Sequence, residues 1–132
     1  MNNTATIICI PNADIKKMLR DLSDLCRMRA DKWYHHPVTG EKIELNHGER
    51  FMLMVSEIAE AMEGYRKDLM DDKLPHRKMV EVELADALIR IFDYAGAFNL
   101  DIGGALVEKT AYNAVRADHT AEERLKANGK KF

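Results

Sequence analysis

Four stretches of the chain repeat apolar residues at helical intervals. From about Ala13 to Arg29, the residues Ile15, Met18, Leu19, Leu22, Leu25 and Cys26 follow i, i+3, i+4 spacing, with Asn12 placed to cap the start. A second stripe, Met54, Val55, Ile58, Ala61, Met62 and Tyr65, falls in a helix expected from Gly48 to Lys67. The third runs from about Arg77 to Phe98 and is apolar around most of its circumference. There Val80, Leu84, Ala87, Leu88, Ile91, Phe92, Ala95 and Phe98 leave Glu83, Asp86, Arg90 and Asp93 as the one polar strip. The fourth, Ile102 to Val115, has Asp101 as its cap, Ala105, Leu106 and Val107 for packing, and Gly103 and Gly104 for close approach.

The breaks between these stretches have their own chemistry. Pro37 and Gly40 turn Trp33–His47 into a loop with a small hairpin around Val38–Glu41. The polar run DLMDDKLPHR suits a link between antiparallel neighbours, with Pro75 just before the next helix or in its first turn. Residues 1–12 hold a β-branched run that reads as a strand or an arm, and residues 117–132 read as a polar tail, either closing over a ligand or disordered. The pattern predicts an all-α chain, a single domain resembling a four-helix bundle.

Two of the helices bring carboxylates in pairs. Glu57 with Glu60 and Glu83 with Asp86 are each spaced i, i+3, which sets both members on one helix face. If the helices lie antiparallel, four acidic groups converge on a small volume, and that charge is tolerable off water only with cations present. Oxygen ligands without His or Cys fit a hard cation, Mg²⁺ or Mn²⁺. The competing reading of any single ExxE is an ordinary solvated face. A widely apolar helix with one polar strip argues for a cleft instead.

ExxE followed by ExxD, with 22 residues between Glu60 and Glu83, resembles the metal-binding signature of the all-α nucleoside triphosphate pyrophosphatases, in particular the MazG-like branch. The likeness takes in VSEIAEAMEG, ELADALIRIFDYAG and the later EKTAYNAVR, from roughly Trp33 to Arg116. Many relatives carry another Glu directly before the first pair, where this chain has Ser56. The resemblance implies a MazG-type, oligomeric fold. It also implies hydrolysis of a (deoxy)nucleoside triphosphate between the α and β phosphates, giving the monophosphate and pyrophosphate. Glu57, Glu60, Glu83 and Asp86 would hold Mg²⁺, or Mn²⁺, with Glu57 orienting the attacking water.

Two further groups fit a nucleotide. Lys109, Asn113 and Arg116 share one face of the last helix at i, i+4, i+7 and offer cationic and amide donors to phosphate. Trp33, beside Tyr34, His35 and His36, is placed to stack on a base, while the alternative for Trp33 and Tyr34 is to plug the core. Glu44 and His47 form a lone ExxH in loop-like sequence, too little for a di-iron site.

Composition narrows the classes. Charged residues are 32% of the chain at a formal net charge of −2, without the basic excess of a sequence-independent nucleic-acid binder. Cys9 and Cys26 make no disulfide framework, no basic, apolar leader opens the chain, and no apolar run reaches the roughly 20 residues of a membrane span. A cytoplasmic protein without membrane association is expected. One small bundle offers little surface to enclose a nucleotide, which predicts a homodimer or homotetramer completing the pocket. The rivals are a non-catalytic helical regulatory or assembly protein, and a hydrolase of the same fold acting on another phosphoanhydride.

Overall fold

The computed structural model describes residues 9–130, and every regular element among them is helical. In order these are α1 (Asn12–Arg29), a 3₁₀ turn at Asp31–Tyr34, α2 (His47–Arg66), α3 (Met79–Ala97), α4 (Ile102–Ala114), a 3₁₀ turn at Ala117–His119 and α5 (Ala121–Leu125). Two isolated antiparallel bridges, His35 with Lys42 and Met70 with Lys78, pin the two longer loops. No helix among the described residues is long and apolar enough to cross a membrane. The strand or arm expected at the N-terminus lies, apart from residues 9–12, outside the described residues. The chain forms two compact units: residues 21–100, and the described residues before 21 together with those after 100.

The unit of residues 21–100 is built on the α2–α3 pair. His47, which opens α2, packs on Tyr94 and Phe98 near the end of α3, while Gly64 near the end of α2 lies against Met79 at the start of α3. The two helices are therefore antiparallel. His47 Nδ1 and the Tyr94 hydroxyl are 2.8 Å apart, and Phe51 joins the cluster 4.9 Å from Tyr94, ring centre to ring centre. His47 is thus engaged with the aromatic side chains of α3.

Both helices end in the same way. Asp68 and Asn99 adopt left-handed backbone, each with φ of 50°. Leu69 N–H donates to Gly64 O at 3.0 Å, and Leu100 N–H donates to Ala95 O at 2.9 Å. These are the backbone hydrogen bonds that close a Schellman motif, with short polar side chains where glycine is commonest. Lys78 Nζ donates to Asp68 Oδ1 at 2.6 Å and ties the α2 end to the residue before α3. Pro75 sits in the turn of this connection, and α3 starts later than its sequence pattern predicts, at Met79.

The packing of α2 departs from the sequence expectation. Val55, Ile58, Met62 and Tyr65 of the presumed core stripe are 51–76% exposed, and the buried side carries Glu57, Ala61 and Gly64. The facing side of α3 likewise buries Glu83 and Ala87, while Leu84 and Leu88 point outward. Small residues let the backbones come close: a Cβ on Gly64 would lie 2.8 Å from Met79 Cγ. α1 meets α3 with similar intimacy, since a Cβ on Gly96 would sit 2.6 Å from Ser23 O.

Tyr34 is the large core residue of this unit, 2% exposed, with the Arg27 and Arg50 guanidinium carbons 3.7 and 4.9 Å from its ring centre. Trp33 is 63% exposed, which excludes its reading as a core plug.

In the other unit, α4 packs on the first half of α1, with Gly103 so close that a Cβ there would be 3.0 Å from Lys16 Cα. Asp101 caps α4 as expected, Oδ1 accepting from Gly104 N–H at 2.9 Å. The polar stretch after Arg116 reads from composition as a mobile or disordered end, yet it contains a 3₁₀ turn and α5. Thr120 caps α5 by accepting from Glu123 N–H at 3.3 Å, a local signal within TAEE.

Candidate metal centre

Antiparallel pairing of α2 and α3 brings three of the four carboxylates into one group. Single oxygens of Glu57, Glu60 and Glu83 lie within 4.8 Å of one another. Glu57 is 7% and Glu83 8% exposed, whereas Glu60 opens to solvent. Asp86, one turn beyond Glu83 on α3, is half-buried and lies outside that group of three. It lines the adjoining cavity together with Glu57 and Arg90.

The electrostatics record the crowding. Burial first, then a hydrogen bond shared with Glu57 and the charges of Glu60, Glu57 and Asp86, pushes Glu83 up to about 7. Asp86 is also raised, by burial and by Glu57, with Arg90 opposing and Asp71 adding to the rise. Asp71, 5% exposed in the α2–α3 connection, is a fifth acidic group that the sequence pattern does not single out. Its Oδ2 accepts from Lys73 N–H at 2.8 Å and Leu74 N–H at 2.5 Å, so its first duty is to shape the loop.

Arg90 is the second residue that sequence reasoning leaves without a role. Its Nε donates to Glu57 Oε1 at 2.5 Å, placing a guanidinium beside the acidic group. The signal was present, because Arg90 is four residues after Asp86 on the same polar strip. An arginine there reads equally well as an i, i+4 surface pair.

The cavity that Arg90 lines, about 590 Å³, is also lined by Ile89, Leu53, Arg50, Trp33 and Asp93. That volume falls within the range of small-molecule sites. Asp93 is 8% exposed. Burial raises its pKa, and the Tyr34 hydroxyl with Arg50, Arg27 and Arg90 pulls it partly back. Burial and Asp93 in turn push Tyr34 up to about 12. The two groups influence each other in this way, yet neither Tyr34 OH nor Asp93 Oδ1 completes a hydrogen bond of good geometry, and Arg27 Nη1 also lacks a partner.

Lys109, Asn113 and Arg116 belong to the other compact unit. Lys109 Nζ is 4.8 Å from the Tyr112 ring centre, and Asn113 Oδ1 is buried without a hydrogen-bond partner. Arg116, past the end of α4, is engaged by Asp118 through two parallel bonds, Nε to Oδ1 at 2.9 Å and Nη2 to Oδ2 at 2.7 Å. That pairing uses the fork a phosphate would take, and i, i+7 spacing alone does not reveal it.

A donor set of carboxylate oxygens, two of them buried, has the composition that Mg²⁺ and Mn²⁺ accept. A buried carboxylate with its proton affinity raised by like charges gains from any cation placed among them. Compared with protein-family models, curated proteins and solved structures, the chain gives no match.

Proposed function

We propose that the chain is a metal-dependent nucleoside triphosphate pyrophosphohydrolase, splitting the α–β phosphoanhydride to release a monophosphate and pyrophosphate. The observation that carries this reading is the convergence of Glu57, Glu60 and Glu83, of which Glu57 also lines a cavity of nucleotide size together with Asp86 and Arg90. The resemblance of ExxE, ExxD and EKTAYNAVR to the MazG-like enzymes supplies the reaction type.

In this mechanism Glu57, Glu60 and Glu83 would hold the cation, with Asp86 directly or through water, and Mg²⁺ or Mn²⁺ there would supply polarisation of phosphoryl oxygens and a more acidic water. The protein's own part is to orient and to neutralise. Glu57, buried and already accepting from Arg90, orients the attacking water through its remaining oxygen. Arg90 supplies charge-assisted donors where the negative charge of the leaving pyrophosphate grows. The same resemblance assigns phosphate binding to Lys109, Asn113 and Arg116, and Arg116 would have to exchange Asp118 for phosphate. Trp33 presents an exposed ring beside the cavity for stacking on the base.

The working unit is at least a dimer. Phe51, Val55, Ile58, Met62 and Tyr65 form an i, i+4, i+7 stripe along α2 that is roughly half-exposed or more at every position, and water is a poor cover for it. Sedimentation at micromolar concentration tests this, and a fully active monomer would contradict it.

The test of the activity is mutational. Glu60→Gln and Asp86→Asn each lower pyrophosphate release about a hundredfold or more, the scale on which losing one charge-stabilising group acts, with the helical fold retained. Near-normal kcat in either variant removes that residue from the site, and undiminished turnover in excess EDTA removes the metal.

A further inference from the structure

Arg90 occupies the place of a cation beside the acidic group. Its Nε donates to Glu57 Oε1 at 2.5 Å, and Glu57 is 7% exposed. A carboxylate so far from water needs a positive partner. Lys73, whose charge also reaches Glu83, is turned to solvent and paired with Asp72. Among the described residues, Arg90 is the cation in contact with Glu57.

Glu57 has two oxygens and more than two demands on them. In the proposed mechanism it holds the metal and orients water, while Oε1 faces the guanidinium. A guanidinium beside a ligand oxygen opposes a divalent cation there, by repulsion and by taking up a lone pair. Arg90 has room to leave. It is half-buried, lines the cavity with Glu57 and Asp86, and has Asp86 and Asp93 at i−4 and i+3 on α3. Its charge already reaches both carboxylates, opposing the rise that burial gives their pKa values. Leaving Glu57 for the cavity therefore strands neither the guanidinium nor those two acids.

We infer that Arg90 is a placeholder for the divalent cation: it neutralises Glu57 in the metal-free chain, gives up Oε1 as the cation binds, and carries its freed guanidinium to a phosphate of the ligand. Arg90 thereby couples the two binding events. The inference rests on the metal-dependent reading of the site and deepens it, by assigning the regulation of that site to one side chain. Metal alone must displace the guanidinium and binds weakly for that reason. A phosphate that receives the guanidinium offsets the displacement, and the gain is reciprocal, because each ligand changes the affinity for the other by one common factor. A residue serving only the packing of α2 on α3 would support both ligands alike or neither.

Mn²⁺ binding to the full chain, followed by electron paramagnetic resonance without nucleotide, is the first measurement. Arg90→Gln should bind Mn²⁺ about tenfold more tightly than wild type, since one opposing charge is gone. At saturating Mn²⁺ the same variant should bind the α,β-imido deoxynucleoside triphosphates about tenfold more weakly, one charge-assisted hydrogen bond being lost. Trp33, the single tryptophan, lines the cavity and reports that binding by fluorescence. Arg90→Lys, which keeps the charge, should leave Mn²⁺ affinity within about threefold of wild type. Mn²⁺ binding that is unchanged or weaker in Arg90→Gln overturns the inference. The wild-type chain gives a second measurement that does not depend on a variant folding. In nitrogen–proton NMR the Arg90 Nε–H, identified by its absence from Arg90→Lys, should give a slowly exchanging signal that Mg²⁺ shifts and opens to exchange. A signal left in place while Mg²⁺ binds elsewhere in the acidic group also overturns the inference. Pyrophosphate release, measured alongside, separates the two levels. Opposite shifts in Mn²⁺ and triphosphate affinity without release refute the hydrolytic reading alone, and release with unaltered Mn²⁺ affinity in Arg90→Gln refutes the role of Arg90 alone.

Discussion

Replacing Glu83 by glutamine should stabilise the metal-free protein, and only above acidic pH. In the folded chain Glu83 is held near 7 against its ordinary 4.5 by burial, by the proton shared with Glu57 and by the charges of Glu60, Glu57 and Asp86. A folded-state pKa above the unfolded one means that the folded chain binds the extra proton between those two values. Stability is then greatest below about 4.5 and is lost as pH rises through about 7. At 1.36 kcal/mol per pKa unit, the ionised side chain costs the fold roughly 3 kcal/mol. For a domain of this size that is roughly a 10 °C shift in melting temperature. Thermal melts in EDTA at about pH 5 and about pH 8.5 measure it. Wild type and Glu83→Gln should melt together at the acid pH, and the variant should be higher at the alkaline one. Mg²⁺ should then close the gap by raising the wild type selectively, as binding to the folded state requires. A gap that does not change with pH, or a variant that melts lower at alkaline pH, would refute the reasoning.

Other perturbations test separate parts of the account. Trp33→Ala should leave the melting temperature within a few degrees, because the ring is 63% exposed, while weakening nucleotide binding by roughly tenfold; a large loss of stability would return Trp33 to the core. Gly96→Ala should destabilise by about 1–3 kcal/mol in urea melts. The gain in helix propensity, near 1 kcal/mol, is outweighed because the added Cβ meets the Ser23 backbone oxygen at 2.6 Å and only separation of α1 from α3 relieves it. Lys109→Ala and Arg116→Ala should raise KM for a triphosphate about tenfold, the worth of one charge-assisted hydrogen bond, with little change in melting. Unaltered KM and kcat in both would make that face ordinary solvated surface.

The helices were legible because their signals are local. The apolar periods, Asp101 and the breaks at Gly40 and Asn99 place α1 to α4 within a few residues, although α1 takes in Asn12, expected as its cap, and its first bonds run from Asp14 and Ile15 N–H to Pro11 O; the i, i+3 carboxylates require only that α2 and α3 pair antiparallel. Sequence could not say which side of α2 faces inward. The large residues Val55, Ile58 and Met62 mark one face by hydrophobicity, but close helix approach selects Ala61 and Gly64, which carries Glu57 inward with them. Arg90, Asp71 and Asp93 were hidden for a related reason. Their roles follow from partners 15 to 59 residues away in sequence, Glu57 for Arg90, Asp86 near Asp71 and Tyr34 behind Asp93, and no periodicity encodes such contacts. Arg116 shows the converse, a residue whose spacing suits phosphate while a neighbour two positions on already holds it.

The most direct test of the central claim is the identity of the products. Phosphorus NMR of the protein incubated with the deoxynucleoside triphosphates and Mg²⁺ should show a nucleoside monophosphate and pyrophosphate in equal amounts, with neither forming in excess EDTA or with Glu60→Gln. Nucleoside diphosphate with orthophosphate, or no turnover of any nucleotide with either metal, would contradict cleavage at the α–β anhydride by this carboxylate centre.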